Sequence, residues 1–360
     1  MTQKRMLLVD RTRIEADWTC PRKRYWLTEY EGRGIVPATK AKALVFGIVV
    51  HEGLEQLTSQ GAYRDHMHGL PEWAELGSEE RKLAEALVTG FALEVWPEWE
   101  QNYEKVLVEQ ELEFELDGVL YMVRPDILLR EKKTGDLWYP DFKTFGGGWN
   151  NRKWTHALQQ HLTIVACERA TGEPIIGSWI QGLAKGYTRN GTLYHLLVSG
   201  YRRSGSPGIS STAYSAKHRS GFERFDVREY EGKEGKGLKG WIQWLRAHEP
   251  EALSKIFPRT GPIFLKREMM NDFLHQRSYR EEEIAGVAES VSVGEMSETE
   301  AMNRVFPQNF SACEPAFGTC PYLEACWVKK VREDPVGQGL YEYREPHHDA
   351  ERKVMALQPV

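Results

Sequence analysis

No apolar run in this sequence is long enough to cross a bilayer, and its opening stretch, MTQKRMLLVDRTRIEADW, lacks the apolar core of a secretory leader. An intracellular, cytoplasmic setting is the expectation. A G-x-x-x-x-G-K-[ST] phosphate loop is also missing, which argues against an intrinsic ATP-driven motor. No internal repeat is evident. Positive charge is not in excess: 47 Lys and Arg face 52 Asp and Glu, for a formal net charge of −5. Cysteine is scarce, five in 360 residues, and none has the paired C-x2-C spacing of a zinc ribbon or a nearby His-x3–5-His.

What is present is an ordinary globular composition, 41% hydrophobic and 28% charged. The length suits one large decorated domain or two closely joined ones. Net charge averages the whole surface, whereas phosphate contacts need only a local basic face. Two stretches are locally basic. Residues 1–45 carry ten Lys or Arg against five acids, and Tyr201–Phe225 carries five against one. Taken alone, each reads first as a solvated face.

The cysteines are unevenly placed. Cys20 lies in DWTCPRKRYW, while Cys313, Cys320 and Cys326 cluster as CEPAFGTCPYLEAC. Clustered thiols in an intracellular chain point to metal or redox chemistry rather than to structural disulfides. Four thiolates suit an iron–sulfur cluster, with zinc open as the alternative. Cys167, in the apolar run LTIVACERA, reads as a small buried hydrophobe.

Periodicity gives the order of elements. KALVFGIVVHEGLEQLTSQG has apolar residues at helical spacing and a stop at Gly61, and EERKLAEALVTGFALEVWPEWEQNY reads as a second helix closed near Pro97. VLVEQELEFEL, VLYMVRPDILLR and LWYPDFKT, joined by turns at Asp117-Gly118 and Thr134-Gly135, predict a three-stranded antiparallel meander over 106–144. THALQQHLTIVACERATG follows as a helix ending at Gly172. Two more strands, IIGSWIQGLAKGY and TLYHLLVSGYRR, turn at 189–191. A Gly/Ser-rich loop over 204–221 then leads to WIQWLRAHEP and the mainly helical region 263–304.

The hairpin is where chemistry enters. Asp126, Asp141 and Lys143 stand inside apolar strands, where charges are expensive to desolvate. Alternation puts Asp141 and Lys143 on one face and Phe142 on the other. With a two-residue Thr134-Gly135 loop, Asp126 lies opposite Lys143; a register shifted by two pairs it with Asp141 instead. In either case the three charges converge. Two carboxylates and a strand carbonyl suit a hard cation such as Mg²⁺, and a solvent-facing ladder of salt bridges is the alternative.

RPD-x14-DFKT resembles the PD-(D/E)XK nuclease motif, with Pro125-Asp126 and Asp141-Phe142-Lys143 as its halves. GIVVHEGLE resembles the superfamily's upstream helix with its metal-associated histidine, here His51. ALQQHLTIVACE resembles the glutamine helix, with Gln159 the better fit by spacing and Gln160 the other choice; Thr163 takes the usual tyrosine position. One cysteine before the core and three after resembles the RecB-like nucleases with an iron–sulfur cluster, which include CRISPR-adaptation, AddB-type and exonuclease V-type enzymes. The first gap between the later cysteines is wider here than in many members.

The resemblance implies an α/β, restriction-endonuclease-like core. A mixed central sheet is flanked by helices, and N- and C-terminal segments are joined by the cysteine-ligated cluster. One nuclease domain would span 1–330, with cluster segments at 1–45 and 300–330, followed by a tail at 331–360. It implies Mg²⁺ or Mn²⁺ on His51, Asp126, Asp141 and the Phe142 carbonyl, with Lys143 and Gln159 completing the catalytic set. Cys20, Cys313, Cys320 and Cys326 would hold a [4Fe-4S] cluster, or Zn²⁺ as the alternative. DNA, as single strands or ends, would be the substrate. Arg22, Lys23, Arg24 and the 201–225 stretch are then candidate phosphate contacts, and Tyr25 and Trp26 candidate stacking groups, with core packing the first reading of these two rings. Recombination, CRISPR-adaptation and phage replication partners all fit. A non-catalytic DNA-binding subunit with the same fold is the competing reading, disfavoured by the retained Asp126, Asp141 and Lys143.

Overall fold

The computed structural model describes residues 7–146, 149, 158–189, 192–203, 222–314 and 319–356. From the N-terminus, β1 is Leu7–Asp10, β2 Ile35–Pro37, β3 Tyr103–Val108, β4 Leu112–Leu116, β5 Val119–Val123, β6 Ile127–Glu131, β7 Leu137–Phe145 and β8 Ile175–Ala184. One sheet has the order β3-β6-β7-β8, antiparallel except for the parallel β7–β8 pair. A second has the order β1-β5-β4.

The expected meander is therefore corrected to five strands shared between two sheets. VLVEQELEFEL breaks at Glu109, whose φ of 45° is outside the β region. VLYMVRPDILLR breaks at Arg124-Pro125-Asp126, where proline has no N–H for a ladder. These two breaks let the chain change sheets. The Asp117-Gly118 turn does join β4 to β5, with both residues at positive φ.

The β6–β7 connection also differs. Glu131 N–H donates to the Asp136 carbonyl at 2.9 Å and Gly135 N–H to the Glu131 carbonyl at 2.8 Å, so the loop is residues 132–135 rather than Thr134-Gly135 alone. Leu129 faces Trp138. That register, carried along both strands, brings Asp126 level with Asp141.

Strand alternation separates two cores across the sheet. Ile127, Leu129, Phe142, Trp179 and Leu183 face one, and Leu128, Leu137, Tyr139 and Ile175 face the other. The first is covered by the histidine helix, Lys42–Gln60, and by helix Ser78–Glu94. Val45, Phe46, Val49, Val50, Leu54 and Leu57 make the inward stripe of the histidine helix, which stops at Gly61 with φ 75°. The second core is covered by the glutamine helix, Leu158–Thr171, and by helix Arg267–Ser292. This is the mixed α/β architecture expected, with helices on both faces of the sheet.

The chain's early and late segments form a clasp. β2 pairs antiparallel with the strand Tyr341–Tyr343, and Trp26, Ile35, Tyr322, Cys326 and Tyr341 share a small core. Arg13 bridges Asp10 at 2.6 Å and Glu351 at 2.5 Å, and Arg344 also pairs with Glu351. The segment from 331 onward thus supplies a strand and, from helix Asp349–Ala356, a buried carboxylate. TLYHLLVSGYRR splits into Thr192–Tyr194 and Ser199–Arg203, the latter pairing with Phe222–Asp226. The turn at 190–191 and the loop 204–221 lie outside the described residues. Among those residues, no helix is long and apolar enough to cross a membrane.

Candidate metal centre and active site

The two strand breaks and the histidine helix meet at one point. His51, Glu109 and Asp126 each place a ligand atom within 4.8 Å of the others. His51 Nδ1 lies 3.8 Å from Asp126 Oδ1. The imidazole is placed by its position at the edge of the helix's buried stripe and by an edge-on contact with Phe142. Asp126 is fixed from its other oxygen, which accepts the Phe142 N–H at 2.6 Å. Glu109 is brought in by its own backbone, since its N–H donates to the Asp126 carbonyl at 3.2 Å. Sequence reasoning missed Glu109. The same run carries Glu111, Glu113 and Glu115, so no sequence signal singles Glu109 out; only the strand break turns it toward Asp126.

The electrostatics of the trio are unfavourable without a cation. Glu109 is pushed up to about 9, by burial first and then by the Asp126 and Glu55 charges. Asp126 is raised by burial and by Asp141. His51 is lowered by burial, against the pull of Asp126, so its ring is neutral and open to ligation at neutral pH. One imidazole and two carboxylates of this kind form a hard donor set that fits Mg²⁺ or Mn²⁺.

Asp141 stands beside this trio but spends its oxygens differently. It is 2% exposed, pairs with Lys143, and accepts the Tyr139 hydroxyl at 3.0 Å. Lys143 Nζ also donates to the Phe142 carbonyl at 3.0 Å. The Arg11 charge acts on Asp141 and Tyr139 from the start of helix Arg11–Thr19. Phe142 anchors the reverse side, stacked on Trp99 at 5.8 Å with its ring edge-on to Phe91. Asp126 is turned toward His51 and Glu109, and Asp141 toward Lys143.

The glutamine helix packs on the Tyr139 side of the sheet. Its backbone carries Gln159, whose side chain lies outside the described residues. Gln160 is fully buried, and among the described residues neither of its amide atoms has a hydrogen-bond partner.

The four cysteines are gathered at the clasp. Asn309 N–H donates to Cys20 Sγ and Trp26 Nε1–H to Cys326 Sγ, both at 3.3 Å. Cys320 N–H donates to the Cys313 carbonyl at 2.9 Å, and the Arg22 charge acts on both Cys20 and Cys326. Cys167 is buried in the second core and pushed up to about 12 by that burial, as a packing residue would be. The nearby basic residues need correcting. Arg22 donates to the Phe306 carbonyl at 2.7 Å, and Arg24 grips both Glu281 oxygens at 2.6 and 2.5 Å. Both are buried clamps, turned inward because the N-terminal segment must be tied to the late helices. Trp26, 1% exposed, is core.

Several chains of solved structures match this one. A crystal structure of a "Putative exonuclease" from Eubacterium rectale is similar at 14% identity and a TM-score of 0.36, over 70% of this chain and 80% of that one. No curated protein matches. The family pattern of the PD-(D/E)XK nucleases matches residues 11–327, which hold both halves of the hairpin, the histidine helix and all four clustered cysteines. The chain belongs to the PD-(D/E)XK nuclease superfamily.

Proposed function

We propose that this nuclease is a Mg²⁺- or Mn²⁺-dependent DNA exonuclease acting on single strands or ends, with residues 1–330 as its nuclease domain and the segment 331–356 packed onto it through the clasp. The observation that carries the metal-dependent site is the His51, Glu109 and Asp126 trio beside the Asp141–Lys143 pair. The resemblance to the RecB-like group, drawn from the bracketing cysteines, supports the exonuclease reading.

His51, Glu109, Asp126 and Asp141, with the Phe142 carbonyl, would hold the cation. When bound, it supplies a more acidic water and offsets charge on the scissile phosphate. The protein's own groups do the rest. Lys143 orients the attacking water and stabilises the charge that develops on the phosphoryl oxygens. Tyr139 holds one Asp141 oxygen so that the other faces Lys143. Gln159, or Gln160 from the same helix turn, steadies the lysine or the water.

Cys20, Cys313, Cys320 and Cys326 would carry a structural [4Fe-4S] cluster. Peptide and indole N–H donors to sulfur suit thiolate ligands. Zn²⁺ held by the same four thiolates is the alternative.

The test is a nuclease assay on end-labelled single- and double-stranded DNA with Mg²⁺ or Mn²⁺. Asp126→Asn, Glu109→Gln and Lys143→Ala should each lose at least about 10²-fold in kcat. Cleavage at wild-type rate by all three would overturn the site. Internal cuts without mononucleotide release would overturn the exonuclease reading alone.

A further inference from the structure

The groove that opens on the acidic trio is 430 Å³ and is lined by the first half of the histidine helix, by Arg124 and Thr144, and by Lys185. Its cations are not equivalent. Arg124 is tied to Glu111 at 3.3 Å, and Lys143, beside the groove, to Asp141. Lys185 has no carboxylate within 4.0 Å among the described residues. It is partly buried, and burial alone lowers its pKa. Its ammonium donates to the Ala43 carbonyl at 2.7 Å and lies over the Phe46 ring at 5.7 Å.

Its position is set by the sheet. Lys185 N–H donates to the Phe145 carbonyl at 2.7 Å, one step beyond the last β7–β8 pair, so it continues the strand next to the one carrying Asp141 and Lys143. The ammonium is therefore held at the groove wall from two directions, by the strand end and by the histidine helix. A partly desolvated ammonium without a counter-charge, in a groove whose other charges are mainly acidic, is an unpaired half of an ion pair. A DNA phosphodiester is the anion that the family's chemistry brings there.

We propose that Lys185 is a substrate-positioning residue that binds a backbone phosphate neighbouring the scissile one and so orients the strand along the histidine helix. This rests on the trio being the cleavage site. Lys185 does not touch the reacting atoms. It fixes where the strand lies, so its loss falls on binding rather than on the chemical step.

The experiment compares wild type, Lys185→Gln, Lys185→Arg and Asp126→Asn. KM and kcat are measured with Mg²⁺ across a salt series, and anisotropy gives the Kd for a labelled oligonucleotide in Ca²⁺. Lys185→Gln should raise KM and Kd about tenfold, change kcat less than about threefold, and lower the log Kd–log salt slope by about 1. Lys185→Arg should recover most of the binding. An unchanged KM and salt slope in Lys185→Gln, or equal defects in Gln and Arg, overturns the proposal. Should Asp126→Asn cleave normally while Lys185→Gln loses binding, the cleavage-site reading fails and the phosphate contact stands. The reverse pattern fails Lys185 alone.

Discussion

Single residues here carry costs that only their surroundings justify, and His195 shows one that can be measured. It is 4% exposed, and burial depresses its imidazole to about 4, while Nδ1 accepts the Leu197 N–H at 3.0 Å. The unfolded chain, at the ordinary value near 6.5, binds more protons than the folded one through the window between. Stability is therefore fully present above about pH 6.5 and lost as pH falls toward 4, by roughly 2 kcal/mol between pH 7 and 5. His195→Asn keeps an acceptor for Leu197 and cannot be protonated there. Urea midpoints at pH 7 and 5 should differ less in that variant than in wild type; an identical drop in both would assign the pH dependence elsewhere. At this same scale the charged face of the hairpin was legible, because alternation alone separates Asp141 and Lys143 from Phe142. Glu109 was not. Nothing in a glutamate signals φ of 45°, a conformation more usual for glycine or asparagine, and only the change of sheet requires it.

Elements place the residues, and the histidine helix does so through a close contact. Gly53 faces Met67 and Val88, and a Cβ added there would sit 2.6 Å from Met67 Sδ and 2.9 Å from Val88 Cγ2. Alanine gains about 1 kcal/mol of helix propensity, yet overpacking a buried contact costs about 1–3 kcal/mol. Gly53→Ala should therefore be destabilised, by about 1 kcal/mol or somewhat more. His51 is two residues away, so Mn²⁺ affinity by titration should fall as well. Unaltered stability and affinity would mean that Met67 yields freely. The helices were readable from spacing, including the stops at Gly61 and Gly172. The strands were readable as apolar runs but not as partners, because pairing is decided by distant segments. β1, more than a hundred positions upstream, takes the edge beside β5. The register of β6 and β7 likewise followed from a loop two residues longer than the Thr-Gly pair suggested.

The whole molecule is held by its clasp, where Cys20 meets the three late cysteines. The bracketing order of the thiols was plain in the sequence. The inward turn of Arg22 and Arg24 was not, since a basic run looks the same whether it faces DNA or a buried glutamate. Anaerobically purified protein should show an absorption band near ~400 nm and contain iron and sulfide, and Cys320→Ser should lose the band. Removing the proposed cluster should also expose the segments 1–45 and 300–330 to limited proteolysis before the hairpin, because its metal-ligand bonds would close a very long loop. Zinc in place of iron would overturn the cluster but leave the nuclease site untouched.

The pairing of β2 with Tyr341–Tyr343 also sets a schedule. Tyr343 Oη donates to Glu31 at 2.5 Å across 312 positions of chain. Synthesis proceeds from the N-terminus at about 5–20 residues per second, so β2 waits roughly 15–60 s for its partner. The β6–β7 hairpin, with its acids and its lysine, is local and can form long before that. A nascent or interrupted chain would thus own most of its cutting residues while Trp26 and Ile35 still lie uncovered, awaiting Tyr322 and Tyr341. For this fold, a strand made late is the one that shields an early segment from sticking to its neighbours.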